Sequence, residues 1–218
     1  MGQFKAVLFD LDGTLLDTLD DLADSMNRVL ARMKFPVHPT NAYKYFVGDG
    51  MDELARRVLP ETARDSSTIQ NCIADMKQDY GAHWADNSKP YDGIPEMLDA
   101  LREQGMRLVV LSNKPDNFTR ATVEHFFPEN MFELVAGARP EIKKKPDPAG
   151  AIIIADKIGL NPQQFLYLGD TATDMKTAVQ AGMFPLGALW GFRTAEELQN
   201  SGAESLLKTP GEILNYIG

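Results

Sequence analysis

The feature that most restricts the fold is an alternation that begins near residue 90. Short apolar runs at 107–111, 132–136, 165–168 and 185–189 are separated by stretches of helical period at 94–104, 117–127, 148–158 and 173–181. Three of those stretches stop at Gly105, Gly159 and Gly182, as helix ends commonly do. Alternation of this kind predicts a parallel sheet, because parallel neighbours need a crossover and a helix supplies it. Helices on both faces give a Rossmann-like, doubly wound α/β core whose ligands bind beyond the carboxyl ends of the strands. Residues 4–9 form one more apolar run and read as a buried first strand, and residues 194–217 read as two short helices around an edge strand at 203–206.

Between the first strand and this alternation lies a segment with no good strand. Residues 18–33 carry apolar side chains at helical spacing (Leu19, Leu22, Ala23, Met26, Val29, Leu30, Met33), and further helical patches fall at 41–47, 51–59 and 67–84. The segment reads as an inserted helical cap domain, 17–87, and the α/β catalytic core is expected from 1–16 together with 88–218. Tyr43, Phe46, Tyr80 and Trp84 fall at positions expected to pack the cap interior.

Polar residues collect where strands are expected to end. The first strand runs into Asp10, Asp12 and Thr14, a later one into Ser112 and Asn113, and another into Asp170 and Asp174, while Lys145 sits in a loop before a helix. In a parallel sheet these ends share one rim. Asp10 and Asp12, two apart in extended chain, point to one side, and Gly13 permits a tight departure. Two close carboxylates call for a cation or a shared proton, and Asp170 adds a third oxygen donor, so a hard cation such as Mg²⁺ suits the set better than zinc. Lys145 supplies positive charge for an anionic ligand, and Ser112 and Asn113 supply short donors of the kind that hold phosphate oxygens. The neighbouring Lys143 and Lys144 read as a solvated face. Together these residues point to metal-assisted phosphoryl transfer, in which one aspartate attacks and the other moves protons.

The residues Asp10-Leu11-Asp12-Gly13-Thr14-Leu15 resemble the first signature of the haloacid dehalogenase superfamily. Leu111-Ser112-Asn113-Lys114-Pro115, Lys145-Pro146-Asp147-Pro148 and Leu168-Gly169-Asp170-Thr171-Ala172-Thr173-Asp174 resemble its second, third and fourth motifs, in order, and the inserted helices resemble the cap of its phosphoglycolate phosphatase-like branch. The resemblance implies that Asp10 attacks phosphorus and that Asp12 first protonates the leaving alkoxide and then activates water. It implies that the Asp10 carboxylate, the Asp12 backbone carbonyl and the Asp170 carboxylate hold Mg²⁺ with help from Asp174, and that Ser112, the Asn113 backbone and Lys145 hold the phosphoryl group. The loop Val47-Gly48-Asp49-Gly50 and the late segment Trp190-Gly191-Phe192-Arg193 resemble that branch as well. On the cap, Gly48 and Gly50 allow close backbone approach, and Arg56 or Arg57 is a candidate for a substrate carboxylate.

The function expected is Mg²⁺-dependent hydrolysis of a small phosphorylated metabolite, with 2-phosphoglycolate the leading substrate. The alternatives are a phosphomutase similar to β-phosphoglucomutase and a phosphatase of pyrophosphate or sugar phosphates. A receiver-type phospho-acceptor domain fits less well, since its acceptor sits on a middle strand with no helical insertion after the first. A net charge of −9 disfavours nucleic acid and anionic membranes as partners. The single cysteine, Cys72, precludes an internal disulfide. The N-terminal apolar run is cut off by Asp10, too short for a secretory segment, and no stretch approaches the ~20 apolar residues of a membrane span. A cytoplasmic monomer or homodimer is the expectation.

Overall fold

A computed structural model describes residues 3–217; residues 1, 2 and 218, the outermost of the expected core ranges, lie outside the described residues. The strands are β1 (Ala6–Phe9), β2 (Leu16–Asp17), β3 (Lys89–Pro90), β4 (Arg107–Pro115), β5 (Leu134–Ala138), β6 (Phe165–Gly169), β7 (Phe184–Ala188) and β8 (Ser205–Leu207). The helices are α1 (Leu19–Arg32), α2 (Tyr43–Phe46), α3 (Met51–Val58), α4 (Ser66–His83), α5 (Ile94–Glu103), α6 (Asp116–Phe126), α7 (Ala149–Ile158), α8 (Ala172–Ala181) and α9 (Ala195–Asn200).

Six strands form one sheet in the order β5-β4-β1-β6-β7-β8, every pairing parallel. The first strand therefore lies inside the sheet, which is why all four of its residues are apolar and fully buried. Its side chains alternate between two cores. Val7 and Phe9 pack with Ile94, Leu98 and Leu101 of α5, while Ala6 and Leu8 pack with Ile154 and Ala155 of α7 and Ala178 of α8. Helices thus cover both faces, the doubly wound arrangement that the alternation predicts.

Helices α1 to α4 build a third apolar cluster of their own. Its buried members run from Leu19 to Tyr80, and Phe192 alone among them comes from outside that stretch. Tyr43 and Tyr80 are fully buried in it and Phe46 and Trp84 pack against it.

Two details depart from the sequence reading. A two-residue antiparallel ribbon, β2 with β3, pairs Leu16 with Pro90 and Asp17 with Lys89 at the root of the helical insertion; segments so short carry no periodic signal. β4 runs on to Pro115, so Ser112 and Asn113 belong to a strand rather than to the loop after it. A register irregularity between Leu111 and Pro115 lets the polar end keep pairing, with Pro115 opposite Ala138 of β5.

Candidate active site

Adjacent parallel strands β4, β1 and β6 deliver their polar ends to one rim. Asp10 follows β1, Asp170 follows β6, and Asp174 sits in the first turn of α8. One oxygen from each of these three carboxylates lies within 4.8 Å of the other two, and all three residues are buried. Each is held by named donors. Thr14 Oγ1 donates to Asp170 Oδ1 at 3.0 Å and the Phe192 N–H to Oδ2 at 2.8 Å. Thr171 caps α8 and its hydroxyl donates to Asp174 Oδ2 at 2.6 Å. Lys145 Nζ lies 2.8 Å from Asp10 Oδ1 and 2.6 Å from Asp174 Oδ1.

Three carboxylates against one ammonium leave negative charge uncompensated in a dry place. Burial, with Asp174 and Asp170 adding to it against the pull of Lys145, pushes the Asp10 carboxyl well above its ordinary range. Burial and Asp174 push Asp170 up to about 7. Burial alone would lower the Lys145 ammonium, but Asp10 and Asp174 hold it well above its usual value. A hard cation ligated by oxygen fits such a cluster: it supplies the missing charge where all the donors are carboxylates.

Asp12 has separate company. Its Oδ1 accepts from Lys114 Nζ at 2.9 Å and from Thr18 Oγ1 at 2.9 Å, and its carboxylate lies outside the three-carboxylate cluster. Each of the two close aspartates thus has its own lysine, Lys145 for Asp10 and Lys114 for Asp12. Gly13 between them and the turn has φ +91°, and a Cβ there would run into Asp170 Oδ2. The turn therefore needs both a left-handed conformation and the absence of a side chain.

A cavity of about 50 Å³ opens over this rim. Asp10, Asp12, Ser112 and Asn113 line its floor, with Lys114 beside them, and Gly48, Gly50, Met51 and Leu54 close it from the helical side. Asn113 ties floor to roof: its Nδ2 donates to the Gly48 carbonyl at 3.1 Å and to the Lys145 carbonyl at 3.0 Å, while its Oδ1 accepts from the Lys145 N–H. Asp49 is not aimed at the cavity as a free charge. Arg57 and Thr173 donate to it at 2.5 and 2.6 Å and, against the burial that alone would raise it, hold its carboxyl below the usual range.

Three expected positions need correction. Arg56 stays on the exposed face of α3 beside Glu53, 3.7 Å away, and does not line the cavity, because the helix turns Leu54 and Met51 inward instead. Thr14 is fully buried behind Asp170, so its hydroxyl orients a carboxylate rather than meeting a ligand. Lys144 is not simply solvated: its ammonium pairs with Asp52 of α3 at 3.2 Å, whereas Lys143 is 80% exposed. Two residues at the site read in the sequence as something else, Lys114 only as part of the second motif and Tyr80 only as cap packing. Lys114 and Tyr80 meet at 2.7 Å beside Asp12. Parity within β4 could have found Lys114, since it shares a strand face with Ser112 two residues earlier; Tyr80 had no local signal.

A buried carboxylate cluster with one lysine thus sits at the rim of a doubly wound sheet, under a helical roof, and the comparisons say which class of protein shares that architecture. The family model for haloacid dehalogenase-like hydrolases matches residues 7–188. The chain is 31% identical over 222 residues to a phosphoglycolate phosphatase of Mannheimia succiniciproducens, covering 99% of both chains. It is 32% identical over 223 residues to one of Pasteurella multocida, covering 100% of both. It superposes with a TM-score of 0.91 on the crystal structure of a predicted phosphoglycolate phosphatase from Haemophilus somnus, at 29% identity and covering 99% and 98% of the two chains. The chain belongs to the haloacid dehalogenase-like hydrolases. Within them it is a phosphatase of the phosphoglycolate phosphatase-like branch, acting on a small phosphorylated molecule. Among the described residues no helix is long and apolar enough to cross a membrane.

Proposed function

We propose that the chain is a Mg²⁺-dependent phosphomonoesterase that hydrolyses 2-phosphoglycolate through a phosphorylated Asp10. The observation that carries the reading is that Asp10 and Asp12 line one small cavity, each paired with a different lysine. The small cavity and the names of the relatives support a substrate of few atoms. Residues 17–87 form the cap in this reading, and 1–16 with 88–218 the catalytic core.

Asp10, Asp170 and Asp174 would hold Mg²⁺, with the Asp12 carbonyl completing the protein's share. When bound, the ion withdraws charge from the phosphoryl oxygens and offsets the carboxylates. Asp10 attacks phosphorus and forms a P–O bond while the ester P–O bond breaks. Asp12 gives its proton to the departing alkoxide. Asp12, now a carboxylate, takes a proton from water; the hydroxide attacks phosphorus, the bond to Asp10 breaks and inorganic phosphate leaves. Lys145, the Ser112 hydroxyl and the Asn113 backbone hold the transferring oxygens throughout. The roof residues Gly48, Gly50 and Leu54 restrict the substrate's other end and exclude bulk water.

Phosphate release from 2-phosphoglycolate, pyrophosphate and sugar phosphates, each with Mg²⁺ and with excess EDTA, tests the substrate and the ion together. Release from 2-phosphoglycolate is expected to lead and to vanish in EDTA. Asp10→Asn is expected to abolish both turnover and the phosphorylated peptide seen by mass spectrometry after an acid quench. Full turnover in EDTA, or label on a residue other than Asp10, overturns the reading.

A further inference from the structure

We infer that Lys114 and Tyr80 are positioning residues for Asp12, and that the Tyr80 hydroxyl ties the seating of the helical unit to the aim of that carboxylate. The inference rests on the proton-transfer role assigned to Asp12 above.

The three residues come from three segments: the loop after β1, the polar end of β4, and α4 of the insertion. Lys114 Nζ lies 2.9 Å from Asp12 Oδ1 and 2.7 Å from the Tyr80 hydroxyl, and it also sits 4.9 Å from the centroid of the Tyr80 ring. The lysine side chain is 3% exposed and the tyrosine fully buried, so water is not at hand to replace either bond. A buried ammonium needs acceptors, and those it has fix where it stands. Thr18 Oγ1 bonds the same Asp12 oxygen. Both bonds thus fall on Oδ1, and among the described residues no protein donor meets Oδ2. The pattern clamps one oxygen and leaves the other without a protein donor, in a residue that lines the cavity. The unclamped oxygen is the one free to move protons.

One of the two acceptors on Lys114 belongs to the helical unit. When α4 is seated, the ammonium is held from both sides; when α4 moves away, it loses the Tyr80 hydroxyl and with it one of the two anchors that set Asp12. Proton transfer is thereby completed by the closed arrangement that also excludes water. Misplacement of a reacting group by about 1 Å can cost on the order of 10²-fold in rate.

The test uses the full-length protein with Mg²⁺, two substrates and four variants. 2-Phosphoglycolate has an alkoxide leaving group that needs a proton; 4-nitrophenyl phosphate has one that does not. Tyr80→Phe and Lys114→Met are expected to slow 2-phosphoglycolate turnover by roughly 10–100-fold. They are expected to change the first phosphoryl transfer from the aryl ester little, and to let phospho-Asp10 accumulate because water is poorly activated. Phe118→Leu is the packing control: its ring meets Tyr80 at 5.6 Å without a polar contact. It is expected to lower the melting temperature and leave the ratio of the two substrates unchanged. Unchanged kinetics in Tyr80→Phe, or an equal fall for both substrates with no accumulation, overturns the inference. Asp12→Asn separates this from the reading beneath it. If Asp12→Asn is crippled while Tyr80→Phe behaves as wild type, only the positioning role falls. If Asp12→Asn hydrolyses 2-phosphoglycolate normally, the assignment of Asp12 falls and the positioning role with it.

Discussion

Lys145→Met tests whether the buried charge is arranged as described. The substitution keeps an unbranched, nearly as long side chain and removes the ammonium that stands 2.8 Å from Asp10 and 2.6 Å from Asp174. The side chain is 3% exposed, so solvent supplies no substitute. Breaking a buried ion pair by removing one partner costs about 3–5 kcal/mol. For a chain of this size each kcal/mol moves the melting temperature by roughly 2–4 °C, so a fall of roughly 6–20 °C is expected in EDTA at pH 8. Saturation with Mg²⁺ to about 100 times its Kd should return about 2.7 kcal/mol. The pH dependence has a fixed sign. A carboxyl whose folded pKa lies above its unfolded value binds more protons when folded, so acidification favours the folded state. Asp170 already stands at about 7, and Asp10 is raised by its burial and its neighbours. The deficit of Lys145→Met should therefore be largest above pH 7 and shrink toward pH 5. Thermal unfolding by circular dichroism at pH 8 and pH 5, each with EDTA and with Mg²⁺, reads all four values. A variant as stable as wild type in EDTA at pH 8, or one that loses more at pH 5 than at pH 8, refutes the reasoning.

Gly13→Ala should lose about 1–3 kcal/mol of stability through its positive φ alone and weaken Mg²⁺ binding further, because its Cβ meets Asp170 Oδ2; denaturant titration and calorimetry measure the two effects. Asp116 anchors α6 to β5: its Oδ1 accepts from the Gly137 N–H, and its Oδ2 from Arg120 and Arg139. Against the burial that would raise it, those bonds hold its carboxyl down to about 2. Because this folded pKa is depressed, the stabilisation is present above pH ~4 and lost as pH falls toward 2. Asp116→Asn should then cost on the order of 1 kcal/mol at pH 7, since its arginine partners are solvent-screened, in urea unfolding, with the gap to wild type closing between pH 4 and 2.

The parts of the molecule legible in the sequence are those where burial dictates residue type. Ala6–Phe9 could be read because a strand covered on both faces must be apolar throughout, and Asp10 stood out by ending it. The rim followed, since topology alone brings strand ends together. Legibility fails where a position is set by distant partners. Arg56 and Arg57 are adjacent and chemically alike, yet Asp49 and the carbonyls of Tyr45 and Phe46 claim Arg57, whereas Arg56 finds only Glu53. Tyr80 sits at a helical core spacing, and its ring does pack there; only its hydroxyl reaches the lysine of another segment. Thr14 looked like part of a ligand site because it follows Asp12, but the turn at Gly13 carries it under Asp170.

Phe192 joins two features of the molecule in one residue. Its N–H holds Asp170 Oδ2, while its ring is the one buried member of the helical unit's apolar cluster supplied from outside residues 19–80. Backbone and side chain share a single Cα, so any repacking that shifts the ring also drags a donor from a fully buried carboxylate. Cation affinity then becomes a gauge of how the roof is packed, even for substitutions far from any charged group. A library that diversifies the roof to reach new substrates will drift in its metal requirement unless the pocket around Phe192 is left intact.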